Sequence, residues 1–155
     1  MHAGDVKRND DMGGFLVTLQ FSLLLLLAVL AAARFMVAAT PIAALLPAGA
    51  SVALALWTLR HNRPGNFNIR PTPRQGGSLV LTGPYRWIRH PMYTSVLLGA
   101  GALAWAANPV GWLAWVALAM TLFVKATLEE RWMRQTHPAY VAYMQVSQRF
   151  LPWLF

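Results

Sequence analysis

Three long stretches of the chain carry no Asp, Glu, Lys, Arg or His: Phe15 to Ala33, Phe35 to Leu59, and Met92 to Val124. A charge-free apolar stretch of about 20 residues crosses the roughly 30 Å hydrocarbon layer as one helix. The first two stretches therefore predict one span each. The third is long enough for two, and Asn108-Pro109 in its middle favours a turn. The pattern predicts four transmembrane helices, over 15–33, 35–59, 91–107 and 110–130, with the last two joined in a tight hairpin. Pro41, Pro47 and Gly49 predict a kink or break near the outer half of the second span. Residues 1–14 read as a frayed tail. Residues 60–90 form a long loop rich in Pro, Gly, Asn and Arg, a length at which loops are usually disordered or functional. In the tail 131–155, Tyr140, Val141, Tyr143, Met144 and Val146 are spaced as a short amphipathic C-terminal helix. The expected fold class is all-α integral membrane, one membrane domain over residues 1–155.

Charge then fixes the orientation. Arg60, Arg63, Arg70, Arg74, Arg86 and Arg89 lie between the second and third spans with no acid among them. Lys125, Arg131, Arg134 and Arg149 follow near and after the fourth, whereas the opposite ends offer only Arg34 and the uncharged Asn108 turn. By the positive-inside rule both termini and the long loop face the cytoplasm, in a bacterial inner membrane or its equivalent. The net charge of +8 is thus a topology signal, helped by contact with anionic membrane lipids, and no nucleic-acid partner is expected. Lys7, Arg8 and Ala31-Ala32-Ala33 loosely resemble a secretory signal, but the apolar run is long for one and its removal would leave an odd number of spans. The first span is expected to be retained. The chain has no Cys, which excludes a disulfide, a thiolate nucleophile and a Cys-based metal site. The spans carry no ionisable group at mid-depth, which argues against an ion pump or coupled transporter.

Candidate chemistry concentrates at two places. Only five acids exist, and beyond Asp5, Asp10 and Asp11 the chain holds just Glu129 and Glu130, adjacent at the cytoplasmic end of the fourth span. Neighbours on a helix point about 100° apart, so at least one of them can face inward. The bland reading is a solvated helix end with Lys125 and Arg134 as neighbours. Acids at a helix C-terminus oppose its dipole, however, and an inward carboxylate needs a partner. The second place is Gly83-Pro84-Tyr85-Arg86-Trp87-Ile88-Arg89-His90-Pro91-Met92-Tyr93. Pro91 suits the first turn of the third helix, with His90 near its N-cap and Tyr93 one turn inside. For any single residue there, a membrane-entry turn with interfacial aromatics and topology-setting arginines is the better reading.

In combination the two places resemble the isoprenylcysteine carboxyl methyltransferase family and its bacterial and phospholipid-methylating relatives. The residues that carry the resemblance are Gly83, Tyr85, Arg89-His90-Pro91-Met92-Tyr93, Glu129-Glu130, Tyr140, Tyr143 and Arg149 to Pro152. The resemblance covers about Gly77 to Pro152, half of the chain. It implies a membrane enzyme that transfers a methyl group from S-adenosyl-L-methionine to a lipophilic or lipidated acceptor arriving from the bilayer, at an active site facing the cytoplasm. It places cofactor contacts on Gly77, Ser78, Leu79, Val80, Tyr85, His90, Pro91, Tyr93 and Glu129. It places catalytic or substrate-orienting roles on Glu130, Lys125 and Arg149, and requires no metal. A helix N-terminus, an acid and aromatic faces suit a molecule bearing a carboxylate, an ammonium, a sulfonium and an adenine. Two positions depart from the family pattern. Ser95 stands where family members usually have Gly, with Gly99 and Gly101 later. Lys125 stands where the carboxyl methyltransferases have an Arg that contacts substrate, and Lys lacks the planar fork that orients a carboxylate.

Two other classes compete. Membrane sterol reductases resemble the same half of the chain and use NADPH, for which the Arg-rich loop could hold a phosphate; four spans leave little room for a steroid pocket. A non-enzymatic membrane subunit would keep the hairpin for packing alone. A direct, dry contact between His90 and Glu129 favours that reading, and an open cavity between them counts against it.

Overall fold

A computed structural model of the chain describes residues 3–39, 41–62, 78–107 and 109–152. Gly77, with the Arg-rich centre of the long loop, lies outside the described residues. Among them the chain is all-helical apart from one isolated bridge: α1 (Ala3–Phe35), α2 (Leu45–His61), α3 (Pro91–Ala106), α4 (Pro109–Thr136) and α5 (Tyr140–Val146). Among the described residues three segments are long and apolar enough to cross a membrane: Asp11–Phe35, Ile42–His61 and Pro109–Thr136. The 16 residues of α3 rise about 24 Å, short of the hydrocarbon thickness.

The boundaries differ from the pattern-based ones for local reasons. α1 runs back to Ala3 through the expected tail, because no Pro interrupts it and Gly13-Gly14 costs only about 1 kcal/mol per Gly relative to Ala. The second span begins later than expected. Pro41 has no N–H and clashes with a preceding helical turn, so the chain leaves the helix after Phe35 and restarts through a 3-10 turn, Ile42–Ala44. Pro47 then falls in the first turn of α2, where it is tolerated. α4 starts on Pro109 and continues past Glu130 to Thr136, since no breaker occurs before Pro138.

The core lies where α1, α3 and α4 meet, with Leu27, Ala100, Ala104, Ala114, Leu118 and Leu122 buried together. Small residues bring the backbones close. A Cβ added at Gly111 would stand 2.9 Å from the Ala107 Cβ and 3.2 Å from the Ala104 Cα, and the Trp115 indole N–H donates to the Leu97 carbonyl at 2.9 Å. On the other side of α3, the Ser51 hydroxyl of α2 donates to the Ser95 carbonyl at 2.7 Å. Large apolar side chains such as Phe21, Leu25, Leu46, Leu113 and Met120 remain exposed on the outer faces, as a lipid-facing bundle requires.

Before α3, a 3-10 turn, Gly83–Arg86, carries the chain under the end of α2. Gly83 has φ of 61°, and a Cβ there would overlap the His61 ring. Gly83→Ala is therefore expected to destabilise the fold by about 2 kcal/mol or more, from left-handed strain plus overlap. Thermal unfolding in detergent checks this; an unchanged midpoint would contradict it. After α5 the chain returns alongside this turn. Arg89 N–H donates to the Gln148 carbonyl at 2.7 Å, His90 N–H to Arg149 at 3.1 Å, and Gln148 N–H to Trp87 at 2.8 Å. This C-terminal strap is also tied to α3 by the Thr94 hydroxyl, which donates to the Phe150 carbonyl at 2.7 Å. The fold thus brings the end of α2 and the C-terminal strap to the turn that starts α3.

Candidate functional site

At that junction a carboxylate gathers three cationic side chains. Glu130 is 1% exposed. Its Oε1 accepts from Arg89 Nε at 2.8 Å and Arg149 Nε at 3.2 Å, and lies 3.2 Å from His90 Nε2. Its Oε2 accepts from Arg149 Nη2 at 2.6 Å. The Arg149 fork is therefore bidentate on Glu130, the strong geometry for a guanidinium–carboxylate pair. Its remaining arm donates to the Thr127 hydroxyl at 3.3 Å. Arg89 also donates to the carbonyls of Met144 and Ser147, which closes α5 onto the cluster.

Glu129, one residue earlier and 22% exposed in its side chain, faces a different set. It accepts a hydrogen bond from the Tyr93 hydroxyl, and its Oε2 lies 3.3 Å from His90 Nδ1. The imidazole is thus held between the two adjacent acids, one on each ring nitrogen, and is stacked on the Tyr93 ring at 5.4 Å with an interplanar angle of 6°. Burial pushes the His90 pKa down, but hydrogen bonds and charge from Glu129 and Glu130 outweigh it and leave the pKa above 6.5. A raised folded pKa means that the protonated imidazole contributes stability complete below about pH 6.5 and lost as pH rises through the folded value. In a pH series of thermal unfolding, the stability difference between wild type and His90→Gln is expected to shrink above pH 6.5. Parallel curves would contradict it.

Tyr85 sits in the 3-10 turn. Its hydroxyl accepts from Asn62 Nδ2 at 3.1 Å, and its carbonyl accepts from the Tyr143 hydroxyl at 2.5 Å. Burial pushes both phenols up to about 12, so both stay protonated at neutral pH. Pro91 opens α3 and is buried. Ser78, Leu79 and Val80 lie in the irregular segment leading to the turn, Ser78 exposed and the other two half-buried.

The structure therefore gathers Tyr85, His90, Pro91, Tyr93, Glu129, Glu130 and Arg149 around one junction. Lys125 stands apart from the Arg pair. It is 1% exposed, donates to Gln20 Oε1 of α1 at 2.6 Å and lies 5.2 Å from the Tyr93 ring centroid. A cavity of about 430 Å³ is lined by Arg89, Phe123, Arg149 and Phe150, with the Arg149 guanidinium 4.8 Å over the Phe123 ring. The sequence reading assigned no role to Arg89, Gln20, Asn62, Phe123 or Phe150. Of these Arg89 and Phe150 had a signal, their places in the two stretches that carry the resemblance.

The sequence model of the isoprenylcysteine carboxyl methyltransferase (ICMT) family matches residues 42–135, more than half of the chain. The chain is also similar to the cobalt-zinc-cadmium resistance protein CzcN of Cupriavidus metallidurans, 32% identical over 83 residues. That match covers 52% of this chain and 38% of the relative.

Proposed function

The chain belongs to the isoprenylcysteine carboxyl methyltransferase family, and from that membership we propose an integral membrane methyltransferase that uses S-adenosyl-L-methionine and a lipophilic acceptor. The observation that carries the reading is the clamp of His90 between Glu129 and Glu130, which joins the two chemical stretches at the ends of the α3–α4 hairpin. In topology the proposal is four spans, with α3 as the short one, and with both termini and the site on the cytoplasmic side.

The residues suit the donor molecule in kind. Glu129 is a partly open carboxylate for its cationic groups, with the Tyr93 hydroxyl on it and the half-buried Tyr85 offering an aromatic face. Ser78, Leu79, Val80, His90 and Pro91 complete the proposed binding set, with Gly77 next in sequence. When bound, S-adenosyl-L-methionine supplies a methyl group on a good leaving group. The chain's own part is to align the two reactants and exclude water. Glu130 holds Arg89, His90 and Arg149 in fixed positions, and Arg149 and Phe123 line an opening through which an acceptor reaches the site from the bilayer. The acceptor is a prenylcysteine carboxylate or another lipid group.

Membranes carrying the protein, incubated with methyl-labelled S-adenosyl-L-methionine, are expected to transfer label into a solvent-extractable fraction, and membranes carrying Glu129→Gln are expected not to. Equal labelling by both would overturn the site. A second reading is favoured by one observation: His90 and Glu129 touch directly at 3.3 Å, as they would in a subunit that keeps the hairpin for packing. Absence of transfer together with absence of cofactor binding would select it.

A further inference from the structure

Lys125 is among the most deeply buried large side chains of the protein. An ammonium inside an apolar bundle is costly and persists where its donors are met. Here Gln20 meets it, from the middle of α1 and itself 7% exposed, by accepting a hydrogen bond at 2.6 Å. On its other side the ammonium lies 5.2 Å from the centroid of Tyr93, within reach of a cation–π attraction. That same ring stacks on His90, and its hydroxyl donates to Glu129. A continuous line of contacts thus runs from α1 to the clamp: Gln20, Lys125, Tyr93, then Glu129 and His90. The family match begins at residue 42, so α1 lies wholly outside it.

We propose that Gln20 is a positioning residue of the cofactor site. By fixing the Lys125 ammonium against the Tyr93 ring, it holds the Tyr93 hydroxyl on Glu129. Lys125 acts through Tyr93, and α1 forms part of the site as well as of the bundle. This rests on the reading of Glu129 and Tyr93 as cofactor-binding residues.

The test measures affinity for S-adenosylhomocysteine by calorimetry, with thermal midpoints alongside. Three variants are used. Gln20→Asn keeps the amide but shortens the reach. Gln20→Glu keeps an acceptor at full length. The pair Gln20→Leu with Lys125→Met replaces both polar groups by apolar ones, a swap that is often neutral for stability. Gln20→Asn and the double variant are expected to bind about fivefold more weakly, and Gln20→Glu within about twofold of wild type. A folded double variant that binds like wild type overturns the proposal. So does equal binding by Gln20→Asn and Gln20→Glu, which decides the matter where the double variant does not fold. Absence of binding by wild type itself is a different failure, and it removes the cofactor site on which the proposal stands.

Discussion

Glu130→Gln is expected to lower the stability of the folded chain by about 3–5 kcal/mol, the range for removing one partner of a buried ion pair. Glu130 is 1% exposed and receives the adjacent Arg89 and His90 from one part of the chain and Arg149 from another. An amide of nearly the same shape keeps one acceptor but places an NH₂ where a cation now donates. Arg89 and Arg149 are then left facing each other without an anion. The C-terminal strap depends on the same carboxylate through Arg149, so its docking on α3 should loosen together with the cluster. Thermal unfolding in detergent reads the loss, with size-exclusion profiles as a second measure. A midpoint within about two degrees of wild type would mean that the cluster is far weaker than its geometry implies.

Its neighbour should behave in the opposite way. Glu129→Gln is expected to weaken binding of S-adenosylhomocysteine at least tenfold, about 1.4 kcal/mol, with a thermal midpoint close to wild type. Glu129 is partly open and meets a tyrosine hydroxyl and one imidazole nitrogen, so its loss strands no guanidinium. His90→Ala is expected to weaken binding by a similar factor. On this proposal the two adjacent acids divide the work, one holding the cluster together and the other presenting charge to a ligand. If both Glu129→Gln and His90→Ala bind with unchanged affinity, the cofactor assignment at this end of α3 and α4 is wrong.

The division was not legible in the sequence, although the pair was. Adjacent helical positions differ by about 100°, and a linear pattern cannot say which of two acids turns toward the arginines. The apolar stretches announced α1, α2 and the α3–α4 hairpin because burial in lipid demands long runs without charge. Pro41 announced a break but not its place, since a proline disfavours the preceding turn without fixing where the chain re-enters a helix. The position of Arg149 depends on backbone hydrogen bonds between residues 87–90 and 148–149, a pairing across some sixty residues that no local pattern carries. Lys125 read as a substrate-facing group because of its place in the resemblance. Its inward side chain meets Gln20, the one amide of the apolar stretch 15–33, and that pairing arises only from the packing of α1 against α4.

Calorimetric titration of the purified wild-type protein with S-adenosylhomocysteine tests the central claim most directly. Saturable binding at one site per chain, abolished or weakened at least tenfold by Glu129→Gln, is the predicted result. A flat titration with a well-folded protein, as judged by its thermal transition, would contradict it.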